Sequence, residues 1–125
     1  MNTHTLSVTF NLRLRPSQLF DFRGAFIDMA AGSRALSDEE LSLLSNRPYN
    51  KGVWHTQTIE RYPRFHYRWD NGHAQLWAIG EGVAVIKKII NAGILQHFVI
   101  EETAIPLHII RESEKDKKSL YIMDQ

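Results

Sequence analysis

The chain contains no cysteine. Disulfides, thiolate nucleophiles and cysteine-based zinc sites are therefore excluded. No apolar run approaches the ~20 residues of a membrane-spanning helix, and the opening Met-Asn-Thr-His-Thr-Leu-Ser-Val carries no signal-peptide pattern. A cytoplasmic protein with no membrane partner is the expectation. A Walker phosphate loop, a dinucleotide Gly-x-Gly-x-x-Gly and a Gly-x-Ser-x-Gly elbow are also missing. The histidines stand at 4, 55, 66, 73, 97 and 108, without a helical i,i+4 pair or zinc-ligand spacing to a carboxylate. No metal and no cofactor are expected. The 15 Lys and Arg residues against 14 Asp and Glu leave a net charge of +1. That excludes a strong whole-molecule field for nucleic acid or membrane and leaves room only for local patches.

What is present is ordinary globular usage, with 43% apolar and 23% charged residues over 125 positions, enough for one domain with a real core. Residues Thr5 to Leu14 alternate, Leu6, Val8, Phe10, Leu12 and Leu14 against Thr5, Ser7, Thr9, Asn11 and Arg13, which predicts a half-buried strand. Pro16 and Ser17 open a helix to Ala31, with Leu19, Phe20, Ala25, Phe26, Met29 and Ala30 on its apolar stripe and Phe22 widening it. Ser37-Asp38-Glu39-Glu40 is a capping box for a short helix to about Ser45. A loop without clear period follows from Asn46 to Glu60.

Asn71-Gly72 is a strong hairpin signal, because a type I′ turn needs positive φ twice. It pairs Trp69 with Ala74, Tyr67 with Leu76 and Phe65 with Ala78 on an apolar face. Asp70 with His73, Arg68 with Gln75, His66 with Trp77 and Arg64 with Ile79 fall on the other. Gly80-Glu81-Gly82 turns the chain into a helix from Val83 to Ala92, and its central glutamate speaks against a phosphate site there. A last strand is expected from Leu95 to Ile100, with Leu107 to Ile110 as an extension. The mixed-charge run after Arg111 reads as a solvated tail or frayed helix.

The predicted order is that of an α+β, ferredoxin-like βαββαβ domain over residues 1–110, an antiparallel sheet with two main helices on one face, followed by a polar C-terminal tail over 111–125. Its open face would collect Arg13, Arg64, Arg68 and Trp77, a set that suits RNA, with guanidinium groups on phosphate and the indole under a base. The same residues also serve solubility, and Trp77 equally suits a dimer interface. His55, on the loop, has the chemistry of a general acid or base.

Three stretches carry a family resemblance: Arg61-Tyr62-Pro63-Arg64-Phe65-His66-Tyr67-Arg68, then Asn71-Gly72-His73-Ala74, then Ile79-Gly80-Glu81-Gly82-Val83. Together with Leu12-Arg13-Leu14 and Arg23-Gly24, they resemble the N-terminal domain of the CRISPR-associated endoribonucleases that process repeat RNA, in the b branch of that family within the RAMP superfamily. The resemblance spans about residues 5 to 100. It implies a ferredoxin-like fold and a repeat-derived RNA partner. It also implies metal-independent cleavage in full-length relatives, where the 2′-hydroxyl attacks the adjacent phosphate with histidine as general acid or base. Those relatives carry two such domains, so a second copy or a missing second half would be the partner here. Where the family reads Leu-His-Asn-His, this chain reads Leu44-Ser45-Asn46-Arg47. Serine does not move a proton at neutral pH and arginine stays charged. The resemblance thus implies an RNA-binding domain without the usual histidine pair. Two alternatives stand beside it: an active ribonuclease using His55, with Arg47 stabilising the phosphorane, and a protein-interaction or dimerisation module.

Overall fold

Alternation over the first residues is realised as strand β1, Asn2–Arg13, with Leu6, Val8 and Phe10 fully buried. The computed structural model describes residues 2–50, 53–54 and 63–118. Pro16 fixes the first turn of a short 3-10 segment, Pro16–Gln18, which leads into helix α1, Leu19–Ser33. The buried side of α1 is Phe22, Phe26, Ile27, Met29 and Ala30. Phe20, predicted on that stripe, is instead 74% exposed. Two residues along a helix is a rotation of about 200°, so burying Phe22 against the sheet turns Phe20 outward.

The capping box holds as predicted. Ser37 accepts from the Glu40 amide at 3.2 Å and Glu40 accepts from the Ser37 amide at 2.8 Å, starting α2, Asp38–Ser45. The stretch predicted as loop contains a small ribbon of β2, Tyr49–Asn50, and β3, Val53–Trp54, in which the Tyr49 and Trp54 rings lie 4.2 Å apart.

Strands β4, Phe65–Asp70, and β5, His73–Ile79, pair in the predicted register around a turn whose φ values are 52° at Asn71 and 85° at Gly72. Trp69 departs from its predicted core position. It is 46% exposed at the strand end, where its indole N–H donates to the Leu14 carbonyl at 2.8 Å. Helix α3, Glu81–Asn91, follows. Gly82 is needed for close contact: a Cβ there would stand 2.7 Å from the Arg64 carbonyl oxygen and 3.1 Å from the Phe65 ring. The missing side chain lets α3 sit directly on β4.

The C-terminal part differs most from the sequence pattern. Residues Ile94–His97 form a 3-10 turn, not a strand, and bury Ile94 and Leu95. A two-residue ribbon follows, β6, Val99–Ile100, and β7, Thr103–Ala104. The fourth sheet strand is β8, Ile109–Lys118, so the charged run expected as a tail is strand as far as Lys118. It pairs antiparallel with β1 along nearly its full length, from Asn2–Lys118 to Phe10–Ile109. Its backbone groups find partners on β1, which a solvated segment would leave to water. A register shift between Thr9 and Phe10 leaves Ile110 as an extra residue, which keeps Ile109 beside Phe10 at the core.

The sheet order β4-β5-β1-β8, all antiparallel, is the ferredoxin-like arrangement of a βαββαβ chain. The helices cover one face. Beneath them Phe10, Phe22, Phe26 and Phe98 form a cluster with ring centroids 5.7–6.1 Å apart, and Tyr67 closes it with its hydroxyl donating to the Leu44 carbonyl. Burial there pushes the Tyr67 phenol pKa well above its ordinary value, against a smaller opposing effect of Arg23.

Candidate nucleic-acid interface

Cross-strand partners project to the same side of a sheet, so register decides what shares the open face. One row runs His66, Trp77, Ser7, Ser113 from edge to edge. The next runs Arg68, Gln75, Thr9, Arg111. Thr5 is flanked by Ile79 and Lys115. Arg13 stands opposite His73, which pairs in turn with Asp70. Strand β8 therefore presents Arg111, Ser113 and Lys115 to the open face. Glu112, Glu114 and Asp116 pair with Val8, Leu6 and His4 and face the helical side. Charges that nearly cancel along the chain are sorted by sign across the sheet. Among the described residues, Asp70 is the carboxylate that register places on the open face.

Each predicted contact residue has a definite setting. Arg68 lies over the Trp77 ring, its guanidinium carbon 4.1 Å from the ring centroid. The His66 ring flanks the same indole at 5.4 Å. Trp77 is consequently half-buried, with one ring face occupied. Burial, helped by the Arg68 charge, holds the His66 pKa below its ordinary value, so the imidazole is neutral near pH 7. Arg64, at the start of β4, pairs with Glu81 at the start of α3, Nε–Oε1 3.6 Å. Arg13 is exposed and packs on the hairpin turn, where a Cβ added to Gly72 would come within 2.7 Å of its Nη2. At the centre of the face, Gln75 donates to the buried Thr9 hydroxyl at 3.1 Å.

Arg47 is not part of this group. It is exposed beyond the end of α2, on the helical side, in a groove of about 210 Å³ shared with Phe20, Gly24, Asp28, Arg23 and Trp54. Arg23 is already engaged there, donating to the Ser45 carbonyl at 2.6 Å and lying 5.7 Å from the Tyr67 ring centroid. Ser45 is buried, and its hydroxyl donates to the Leu41 carbonyl at 3.0 Å and accepts from the Arg47 amide at 3.2 Å. It closes the end of α2. His55, together with Arg61 and Tyr62, lies outside the described residues.

Arg111 and Lys115 were missed by the sequence pattern. The available signal was the alternation of Arg111, Ser113 and Lys115 with Glu112, Glu114 and Asp116, a period-two pattern written in charge instead of hydrophobicity.

Among the described residues no three His, Asp or Glu side chains form a group able to hold a metal ion, and no helix is long and apolar enough to cross a membrane. No family model and no curated protein matches the chain. Among solved structures it is similar to one titled "Crystal structure of Cas6b", with a TM-score of 0.63 and 10% identity, covering 94% of this chain and 48% of that one. The likeness is one of fold. The chain has a Cas6-like, α+β ferredoxin-like fold, and it spans about half the length of that structure.

Proposed function

We propose that this domain binds RNA on its open sheet face and belongs with the b-branch repeat-RNA endoribonucleases that its motifs resemble, as an RNA-binding domain without the family's histidine pair. The observation that carries this reading is the sorting of charge. Among the described residues, Arg13, Arg68, Arg111 and Lys115 share one face with a single carboxylate, Asp70, although the whole chain is nearly neutral. The Cas6-like fold supports the same assignment. Arg13, Arg64 and Arg68 grip phosphate in this reading, and Trp77 contributes the exposed part of its ring.

Labelled stem-loop and single-stranded RNA, titrated at two salt concentrations and run on a denaturing gel, test it. Binding that weakens with salt and leaves the RNA intact is the expected outcome. No binding at low salt would discard the reading.

A cleaving alternative uses His55, which lies outside the described residues, together with Arg47, which shares a groove with Trp54 on the helical side. Its mark would be a 2′,3′-cyclic phosphate product formed in the presence of a chelator and lost in His55→Ala with binding retained.

A further inference from the structure

Strand β8 holds the least expected feature of the molecule. Arg111, on one edge strand, reaches over β1 and β5 to Asp70 on the opposite edge strand, Nη1–Oδ2 2.7 Å. Both side chains remain accessible, Arg111 at 59% and Asp70 at 35%. An exposed pair of this kind is weak and exchanges readily, and a guanidinium prefers the bidentate geometry of a phosphate. Lys115 stands further along the same side of the strand, opposite Thr5. The acidic residues of β8 are turned away, Glu114 accepting from Lys87 and from His4, each at 2.7 Å, on the helical side.

We propose that β8 completes the phosphate-binding face: Arg111 and Lys115 contact the RNA backbone, and the Arg111–Asp70 pair is a latch across the face that an RNA phosphate opens by replacing the Asp70 carboxylate. This rests on the RNA-binding reading above and adds to it the residues, the mode and the competing anion. Because Arg68 occupies one face of Trp77, the centre of the sheet meets RNA through charge more than through base stacking, and binding is tolerant of sequence.

The test is fluorescence anisotropy of the whole chain with a fluorescein-labelled RNA stem-loop over a salt series, with far-UV circular dichroism confirming that each variant is folded. Arg111→Ala/Lys115→Ala removes two positive charges from the open face. Lys87→Ala/Lys88→Ala removes two from the helical side. The first variant loses affinity by about tenfold or more near ~0.1 M salt, and its slope of log K against log salt falls by about 2, one per phosphate contact. The second stays within about twofold of the wild type, because its charges lie on the helical side and are paired there with Glu114 and Glu40. Equal losses in the two variants would make net charge the cause and overturn the proposal. Wild-type binding by Arg111→Ala/Lys115→Ala, with binding lost in Arg64→Ala/Arg68→Ala, would overturn it while leaving the RNA-binding reading intact. Failure of the wild type to bind at low salt would remove both.

Asp70→Asn tests the latch separately. It tightens binding by about two- to fivefold, the equivalent of one exposed ion pair, and has no such effect in an Arg111→Ala background. Equal tightening in both backgrounds would show a simple loss of negative charge and overturn the latch.

Discussion

The guanidinium of Arg68 stacks over the indole of Trp77 at 4.1 Å, joining two strands on the exposed side of the sheet. The contact stabilises the face on which RNA is expected to bind. A double-mutant cycle of Arg68→Ala and Trp77→Ala, followed by urea unfolding, is expected to give a coupling of about 0.5–1 kcal/mol. A coupling near zero would mean that the two side chains separate in solution and that Trp77 offers both ring faces to a base.

His66 makes stability pH-dependent in a defined direction. Its folded pKa lies below the ordinary 6.5, first because of burial and then because of Arg68. The unfolded chain therefore binds a proton that the folded chain resists. Stability is unaffected above the unfolded value and falls as pH drops from there through the folded value. The urea midpoint of wild type should fall between about pH 7 and pH 5, and that of His66→Gln should fall less. The lowered carboxylates of Glu40 and Glu114 act in a separate window, at and below their ordinary value of 4.5. Parallel pH profiles for wild type and His66→Gln would remove His66 as the cause.

Two glycine substitutions should have opposite signs. At Gly82 a methyl group would meet the Arg64 carbonyl at 2.7 Å, and backbone does not move aside cheaply. Gly82→Ala is expected to destabilise by about 2 kcal/mol by lifting α3 from β4. Gly24, within α1, has nothing within 4 Å of an added Cβ. Gly24→Ala should stabilise by about 0.5–1 kcal/mol through helix propensity. Thermal melts of the two single variants read both effects.

The turn between β6 and β7 places Glu101 and Glu102 at φ values of 50° and 64°. Glutamate gains nothing from left-handed backbone, and a two-residue hairpin turn of this kind favours Asn-Gly. Glu101→Asn/Glu102→Gly should raise stability by about 1 kcal/mol. A lower melting temperature would show that the Gln18–Glu101 contact at 3.5 Å matters more than the backbone.

Much of the open face was legible before the structure because one turn anchors it. Asn71-Gly72 admits few geometries, so the partners of Arg68, His66 and Arg64 on β5 follow by counting. The Ser37 cap was legible for the same reason: its hydrogen bonds span three residues. Arg111 and Lys115 had no such local anchor. Their place depends on β1, about a hundred residues earlier in the chain, and nothing near them in sequence announces that pairing.

By itself, the sequence determined the elements whose signals are local: the alternation of β1, the capped start of α2, the β4–β5 hairpin and the amphipathic α3. Only the tertiary structure decided that residues 109–118 form the fourth strand, that 94–97 do not extend the sheet, and that α1 buries Phe22 and exposes Phe20. The physical reason is shared by all three. A hydrophobic or charged side chain has no fixed inside or outside until a distant partner supplies the surface against which it packs, and for β8 that partner also decides which sign of charge faces the open side of the sheet.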